Sequence, residues 1–327
     1  MKIRELELNQ VVDITLVVKS ATARETKAKK PYLSLDFYDG TDSISGNYWD
    51  WGGTNIPQKN AILDVHAQVT EWQGVKQLNI KDMRTNTEAT LSSFAPSSGV
   101  DVYEVYTDAY ALLSDVKDDF IRDLALSIME DLQQRWTTVP GAITIHHAYV
   151  AGTLVHSYSV ASIAKAIAEH TPGANVDLCT VGGMLHDVGK LYAYNLNGVS
   201  VEMTDEGKLY EHSFMGAEFL GNYAESHFDL SNKDYRFEKV EMLRHIILSH
   251  HGRLEYGAPI TPALIEAHIV SHADAIDAAA EQVRSFSAKL DNTKWTDKIW
   301  ALDNKPHITT QYVAEVMRKH TETNADV

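Results

Sequence analysis

The chain has 327 residues, 44% of them hydrophobic and 23% charged, with a formal net charge of −16. That is an ordinary soluble globular mixture of a length suggesting two domains, and its acidity excludes a generic nucleic-acid coat protein. No apolar run reaches the roughly 18 residues of a membrane span. The opening stretch MKIRELELNQ lacks the apolar core of a signal peptide. The one cysteine, Cys179, excludes an internal disulfide, fits a reducing cytoplasm and reads as a small buried apolar residue.

The first 88 residues read as strands. The stretch VVDITLVVKSATA is rich in β-branched residues. In PYLSLDFYDGTDSISGNYWDW, Leu33, Leu35 and Phe37 share one face and Tyr32, Ser34, Asp36 and Tyr38 the other, with a turn signal at Asp39-Gly40. Two more strands flank Gln73-Gly74. About five short strands in some 85 residues suggest a small barrel, and an OB-fold fits that count. Residues 1–88 are therefore expected to form an OB-fold nucleic-acid-binding domain, and 89–100, with Ser, Pro and Gly, a linker.

From Asp101 the pattern turns helical. Val105, Ala109, Leu112 and Val116, then Phe120, Leu124, Ile128 and Leu132, recur at three-to-four spacing. Further helices are expected over about 147–170, 176–191, 213–226, 236–250, 262–285 and 308–322, interrupted by a hairpin turning at Asn197-Gly198. The second domain is thus expected over 101–327 as an all-α bundle. Charge divides with the domains: 11 Lys+Arg against 12 Asp+Glu in residues 1–88, and 18 against 33 in the remainder.

Most of the 15 histidines fall between His146 and His272. His156, His186 beside Asp187, His212, the pair His250-His251, and Asp274 all stand among apolar helix neighbours. Burying so many ionisable groups is costly unless they pair or bind metal, and imidazole with carboxylate suits Mn, Fe, Zn or Ni. The order His, His-Asp, His, His-His, Asp resembles the HD superfamily of metal-dependent phosphohydrolases, on His156, the HDVGK stretch at 186–190 and the Asp274 of HADAIDA. The stretches VPGAITIHHAYVAGTLVHS, MTDEGKLYEHSFMG and ILSHHGRLEYGAP, following an OB-like segment, are similar to the YhaM-type 3′→5′ exoribonucleases, over about residues 5–285.

The resemblance implies two divalent transition-metal ions, Mn foremost, with Fe, Co, Ni or Zn as alternatives. His156, His186, Asp187 and Asp274 would hold one, and Asp187 would bridge to a second held by His212 and His250. Two metals about 3.5–4 Å apart acidify a shared water and clamp a phosphoryl oxygen. Lys190, three residues beyond Asp187, projects from nearly the same helix face and would neutralise phosphate oxygens. Asp187, Lys190 and His251 are the expected catalytic residues, His251 as a further ligand or a phosphate contact. His146 and His147 are expected to border the site, form a third metal position or serve packing, and Asp277, one turn after Asp274, to stand behind the ligands or in solvent. His245, His268 and His272 read as structural.

In the first domain, Lys19, Arg24, Lys27, Lys29 and Lys30 cluster in the connection between the first two strands. OB-folds bind oligonucleotides with that connection and the neighbouring sheet face. Lys27, Lys29, Lys30, Tyr32 and Tyr38 are the expected nucleic-acid contacts, with Trp49 and Trp51 as further stacking surfaces. The expected activity is 3′→5′ degradation of single-stranded RNA or DNA to nucleoside 5′-monophosphates, in the cytoplasm, with no membrane partner and with homo-oligomerisation left open. The alternatives are a cyclic-dinucleotide phosphodiesterase and a nucleotidase of the same superfamily.

Overall fold

The computed structural model describes the chain except residues 95–98, 143–146, 148, 232–233, 291–292 and 324–327. The chain divides into two units. One comprises Met1–Ser98 with Leu196–Glu202, the other Gly99–Asn195 with Met203–Val327.

The first unit is a closed five-stranded barrel. Its strands are β1 (Val11–Glu25), β2 (Pro31–Tyr38), β3 (Ser43–Tyr48), β4 (Ile62–Trp72) and β5 (Val75–Thr85). They run in the order β1-β2-β3-β5-β4, with β3 and β5 parallel and the other pairs antiparallel. The alternation read from the sequence sets the inside: Leu33, Leu35 and Phe37 meet Val12, Ile14, Leu16, Leu78 and Ile80 in one core. Register shifts near Val18/Ser20 and His66/Ala67 supply the local bends that closure of so small a barrel requires. Gln73 and Gly74 both have positive φ, 52° and 79°, as a two-residue hairpin matching the strand twist demands.

The stretch expected as linker is partly structure. Leu91–Phe94 form a 3-10 turn, and Phe94 is buried with Val17, Ile62 and Val199. Val199 belongs to the hairpin of β6 (Tyr194–Asn197) and β7 (Ser200–Met203). From sequence this hairpin is expected wholly within the helical domain. Its tip groups with the barrel instead, because burying Val199 there removes an apolar side chain from water.

The second unit is helical: α1 (Val102–Ser114), α2 (Asp119–Asp131), α3 (Gln133–Trp136), α4 (Gly152–Glu169), α5 (Val176–Leu185), α6 (Lys190–Ala193), α7 (Asp205–Tyr210), α8 (His212–His227), α9 (Arg236–Ser249), α10 (Ile265–Ser287) and α11 (Thr310–Thr323). Starts follow the capping residues: Asp101, Asp118, Asn175 and Thr204 each accept amide hydrogens of the first turn. The helix expected over 176–191 is two. α5 ends at Leu185, residues 186–189 turn, and α6 begins at Lys190. Gly182 and Gly183 pack α5 tightly, since a β-carbon on Gly183 would lie 2.8 Å from the Ala161 Cα of α4, and one on Gly182 would lie 2.8 Å from Ile246 of α9. Among the described residues no helix is long and apolar enough to cross a membrane.

Candidate metal centre

The helical unit takes its candidate ligands from the bodies of two helices and the ends of three others. His156 lies in α4 and Asp274 in α10, while His186-Asp187 follow α5, His212 opens α8 and His250 caps α9. The last carbonyls of a helix have no amide partner, and here imidazoles take them. His186 Nδ1 donates to Gly183 O (2.7 Å) and His250 Nδ1 to Ile247 O (2.6 Å). A carbonyl only accepts, so Nδ1 carries the proton and Nε2 keeps its lone pair for the centre.

Asp187 is the hub, and its two oxygens face different partners. Oδ2 lies 3.4 Å from His156 Nε2, 3.3 Å from His186 Nε2 and 2.7 Å from Lys190 Nζ. Oδ1 lies 3.4 Å from His212 Nε2 and 3.6 Å from His250 Nε2. Asp274 Oδ1 is 3.1 Å from His156 Nε2. Donor atoms of His156, His186 and Asp187 lie within 4.8 Å of one another, as do those of His212, His250 and His251, and those of His186, His250 and Asp274.

Asp187 Oδ1, His212 Nε2 and His251 Nδ1 are buried without a hydrogen-bond partner. Orphaned buried polar atoms of this kind are costly. Their convergence on a His/Asp donor set fits a divalent transition ion, which would satisfy them together.

The electrostatics favour the metal-binding forms of Asp187 and His250, whereas they favour the proton on His156, which a bound cation would displace. Burial works to raise the Asp187 carboxyl, but the Lys190 ammonium, then His186 and His212, hold it well below the usual carboxylate range. Burial and the neighbouring His251 push His250 well below its ordinary value, so that it is neutral. Burial alone would lower His156 too, yet the Asp274 and Asp277 carboxylates raise it to about 9. Burial disfavours the Lys190 charge, and Asp187 more than restores it.

Behind the donors stands Asp277. It is buried, and its Oδ2 accepts from His156 Nδ1 (2.7 Å) and His147 Nε2 (2.8 Å), while Oδ1 accepts from Ser159 Oγ. His147 is joined in turn to the Tyr149 hydroxyl (2.6 Å). His146 lies outside the described residues. Gly189 shapes the other side. A β-carbon there would lie 2.0 Å from His212 O and 2.6 Å from Gly216 N. Only glycine lets the turn after Asp187 press against the start of α8 and bring His212 to Asp187.

Of the residues expected to be structural, His245 is so: its Nε2 accepts from Ala263 N at 2.9 Å. His268 and His272 are exposed and line a cleft of about 860 Å³ that also contacts His250, His251 and Asp274. A sequence cannot reveal this, because helix periodicity gives a face and not what lies beside it.

The expected nucleic-acid residues divide. Lys27, Lys29 and Lys30 are exposed at the β1–β2 turn, Lys30 paired with Asp50 at 3.0 Å. Lys19 and Arg24 belong to β1, not to the connection. Tyr32 and Trp49 stack on each other, ring centroids 4.4 Å apart. Tyr38 is half-buried, as Tyr32 is: it packs against the cluster of Val17, Ile62 and Phe94, Lys19 lies over its ring, and burial pushes its hydroxyl up to about 12. Trp51 is a correction. It is part of the barrel core, and its indole N–H donates to Thr54 O (2.6 Å).

A domain of replication protein A from Methanococcus maripaludis is 28% identical over 26% of this chain and 92% of its own, with a TM-score of 0.24. The HD domain of the L. monocytogenes phosphodiesterase PgpH is 24% identical over 39% of this chain and 67% of its own, with a TM-score of 0.28. The family model of the HD domain matches residues 153–279, a span that begins three residues before His156 and ends two after Asp277. The chain therefore carries an HD domain, the metal-dependent phosphohydrolase module, together with an OB-like five-stranded barrel.

Proposed function

We propose that this protein is a metal-dependent phosphodiesterase that shortens single-stranded RNA from its 3′ end and releases nucleoside 5′-monophosphates. The observation that carries the reading is the division of one carboxylate: Asp187 Oδ2 faces His156 and His186 while Oδ1 faces His212 and His250. That arrangement suits two cations, one held by His156, His186, Asp187 and Asp274, the other by Asp187, His212 and His250, with His251 at its flank. Imidazole and carboxylate together favour Mn, Fe, Co, Ni or Zn. When bound, such ions supply Lewis acidity toward a phosphoryl oxygen and a water acidified to near neutrality.

The chain's own residues do the rest. Asp277 holds the His156 ring by its Nδ1 and leaves Nε2 facing the centre. Lys190 carries its charge 2.7 Å from Asp187 and opposes charge that builds on the non-bridging oxygens of a phosphodiester. Hydrolysis forms a bond from a water oxygen to phosphorus and breaks the bond from phosphorus to the 3′ oxygen of the preceding ribose, which takes up a proton as a hydroxyl, so the released nucleotide keeps its 5′-phosphate. In the barrel, the Tyr32–Trp49 pair offers bases a stacking surface, and Lys27, Lys29 and Lys30 offer cations to the strand's phosphates.

The test is a 5′-labelled single-stranded RNA incubated with Mn²⁺. A ladder shortening from the 3′ end, nucleoside 5′-monophosphate products and complete inhibition by a chelator are expected. Linear RNA left intact by a protein that rapidly opens a cyclic dinucleotide would overturn the reading.

A further inference from the structure

The turn between α9 and α10 carries two large side chains that the fold does not use. Arg253 is exposed and, among the described residues, makes no ion pair, in a unit rich in carboxylates. Its guanidinium lies 5.9 Å from the centroid of the Tyr256 ring. Tyr256 is 67% exposed, so little of the ring is spent on packing. Both line the cleft of about 860 Å³ whose wall includes His250, His251 and Asp274. That volume falls in the range of small-ligand pockets, roughly 300–1,000 Å³.

The turn is fixed. Gly252 has φ +76°, and a β-carbon on it would lie 2.6 Å from Ser271 Oγ of α10. Gly257 has φ +90°. Arg253 N donates to His251 O (2.9 Å), Tyr256 N to Arg253 O (3.0 Å) and Ala258 N to Arg253 O (3.2 Å). The pair is therefore held at a set distance from His250 and His251, which belong to the same turn. His268 and His272, one helical turn apart on α10, add ring donors to the same cleft.

From this geometry we infer that the cleft is the subsite for the terminal nucleotide, with Arg253 on its phosphate and the Tyr256 ring against its base. A guanidinium with free N–H groups suits a phosphate, and an exposed ring suits a base of any identity. The inference rests on the proposed phosphodiesterase reading and names where that substrate sits.

The experiment is isothermal titration of the full chain loaded with Mn²⁺, using AMP, ribose 5-phosphate and inorganic phosphate as probes, with metal content measured in every variant. Tyr256→Ala should weaken AMP about tenfold, the loss of one stacked base, and leave ribose 5-phosphate unchanged. Tyr256→Phe should bind AMP as the parent does. Arg253→Ala should weaken AMP and ribose 5-phosphate by the same factor, about tenfold or more. Leu254→Ala, an exposed neighbour on the same turn, should change nothing, which separates the subsite from general disturbance of the turn. No AMP binding by the parent would overturn the inference, as would equal loss of AMP and ribose 5-phosphate in Tyr256→Ala, or parental AMP affinity in both alanine variants. The two readings fail separately. AMP bound through Arg253 and Tyr256 by a protein that leaves RNA intact supports the subsite against the exonuclease. RNA shortened by a protein whose Arg253 and Tyr256 variants bind AMP normally does the reverse.

Discussion

Replacing Asp277 by asparagine tests how far the centre depends on a residue outside the donor set. Asp277 Oδ2 accepts from both His156 and His147, and Oδ1 accepts from Ser159. An asparagine oriented with its carbonyl toward the two imidazoles keeps these contacts, with its amide donating to Ser159 Oγ. What it removes is the charge that makes His156 the better electron donor. Loss of such a carboxylate behind a metal-binding histidine typically weakens metal affinity 10- to 100-fold, or about 1.4–2.7 kcal/mol. Asp277→Ala goes further and withdraws the acceptor from three donors, which costs about 1–3 kcal/mol for each that is left buried. It should lower the melting temperature as well as metal affinity. The measurement is competition for Mn²⁺ or Zn²⁺ against a chromogenic chelator, with elemental analysis of the retained metal. Glu281→Gln is the control, because Glu281 is buried one turn further along α10 and pairs with Arg284 instead of an imidazole. Parental affinity in Asp277→Asn, with only stability lost in Asp277→Ala, would refute the reasoning and make Asp277 a packing residue.

Asp187→Asn should lose bound metal and phosphodiesterase activity together, read by elemental analysis beside the RNA assay; full activity would exclude Asp187 as a shared ligand. Gly189→Ala must displace the start of α8, because its β-carbon would meet His212 O at 2.0 Å. We expect a loss of about 1–3 kcal/mol in stability and reduced metal content, whereas Gly52→Ala, with nothing within 4 Å, should behave as the parent in thermal melts. Burial pushes the Cys179 thiol up to about 12, so at pH 8 only roughly one molecule in ten thousand carries the thiolate. Iodoacetamide should label it in denaturant and not in the native protein, as mass spectrometry would show. Neutralising Lys27, Lys29 and Lys30 should flatten the salt dependence of single-strand binding by up to about 2 in log–log slope, at roughly 0.7 per phosphate contact, with Lys30 contributing least because Asp50 already pairs it. An unchanged slope would assign the turn no role in binding.

Much of the molecule is decided within short stretches of chain. Alternation over Leu33, Leu35 and Phe37 sets a barrel interior, and Gln73-Gly74 sets a hairpin, because side-chain direction and turn conformation follow from neighbours in sequence. The chemical identity of the donors is equally local. Histidines and aspartates on apolar helix faces announce a metal or a network wherever the helices go. Even so, the short range of these signals misled where contacts are distant. Trp51 carries the same aromatic signal as Tyr32 and Trp49, yet the barrel core covers it. His268 and His272 look like any helix histidine until the cleft beside them is seen.

The tertiary structure alone decides which donors share a centre. His156 and Asp274 are separated by more than a hundred residues and meet at 3.1 Å only because α4 and α10 pack together. The same holds for the division of Asp187, whose Oδ1 and Oδ2 are chemically equivalent in the sequence and become distinct when α8 and α9 bring His212 and His250 to one of them. Gly189 and Asp277 belong to this class too. One matters for an atom it lacks and the other for a ring it holds, and both are properties of close approach between segments. Propensity and periodicity act over one turn or one strand, while a bridged centre is a set of distances between helices, and packing is what fixes those distances.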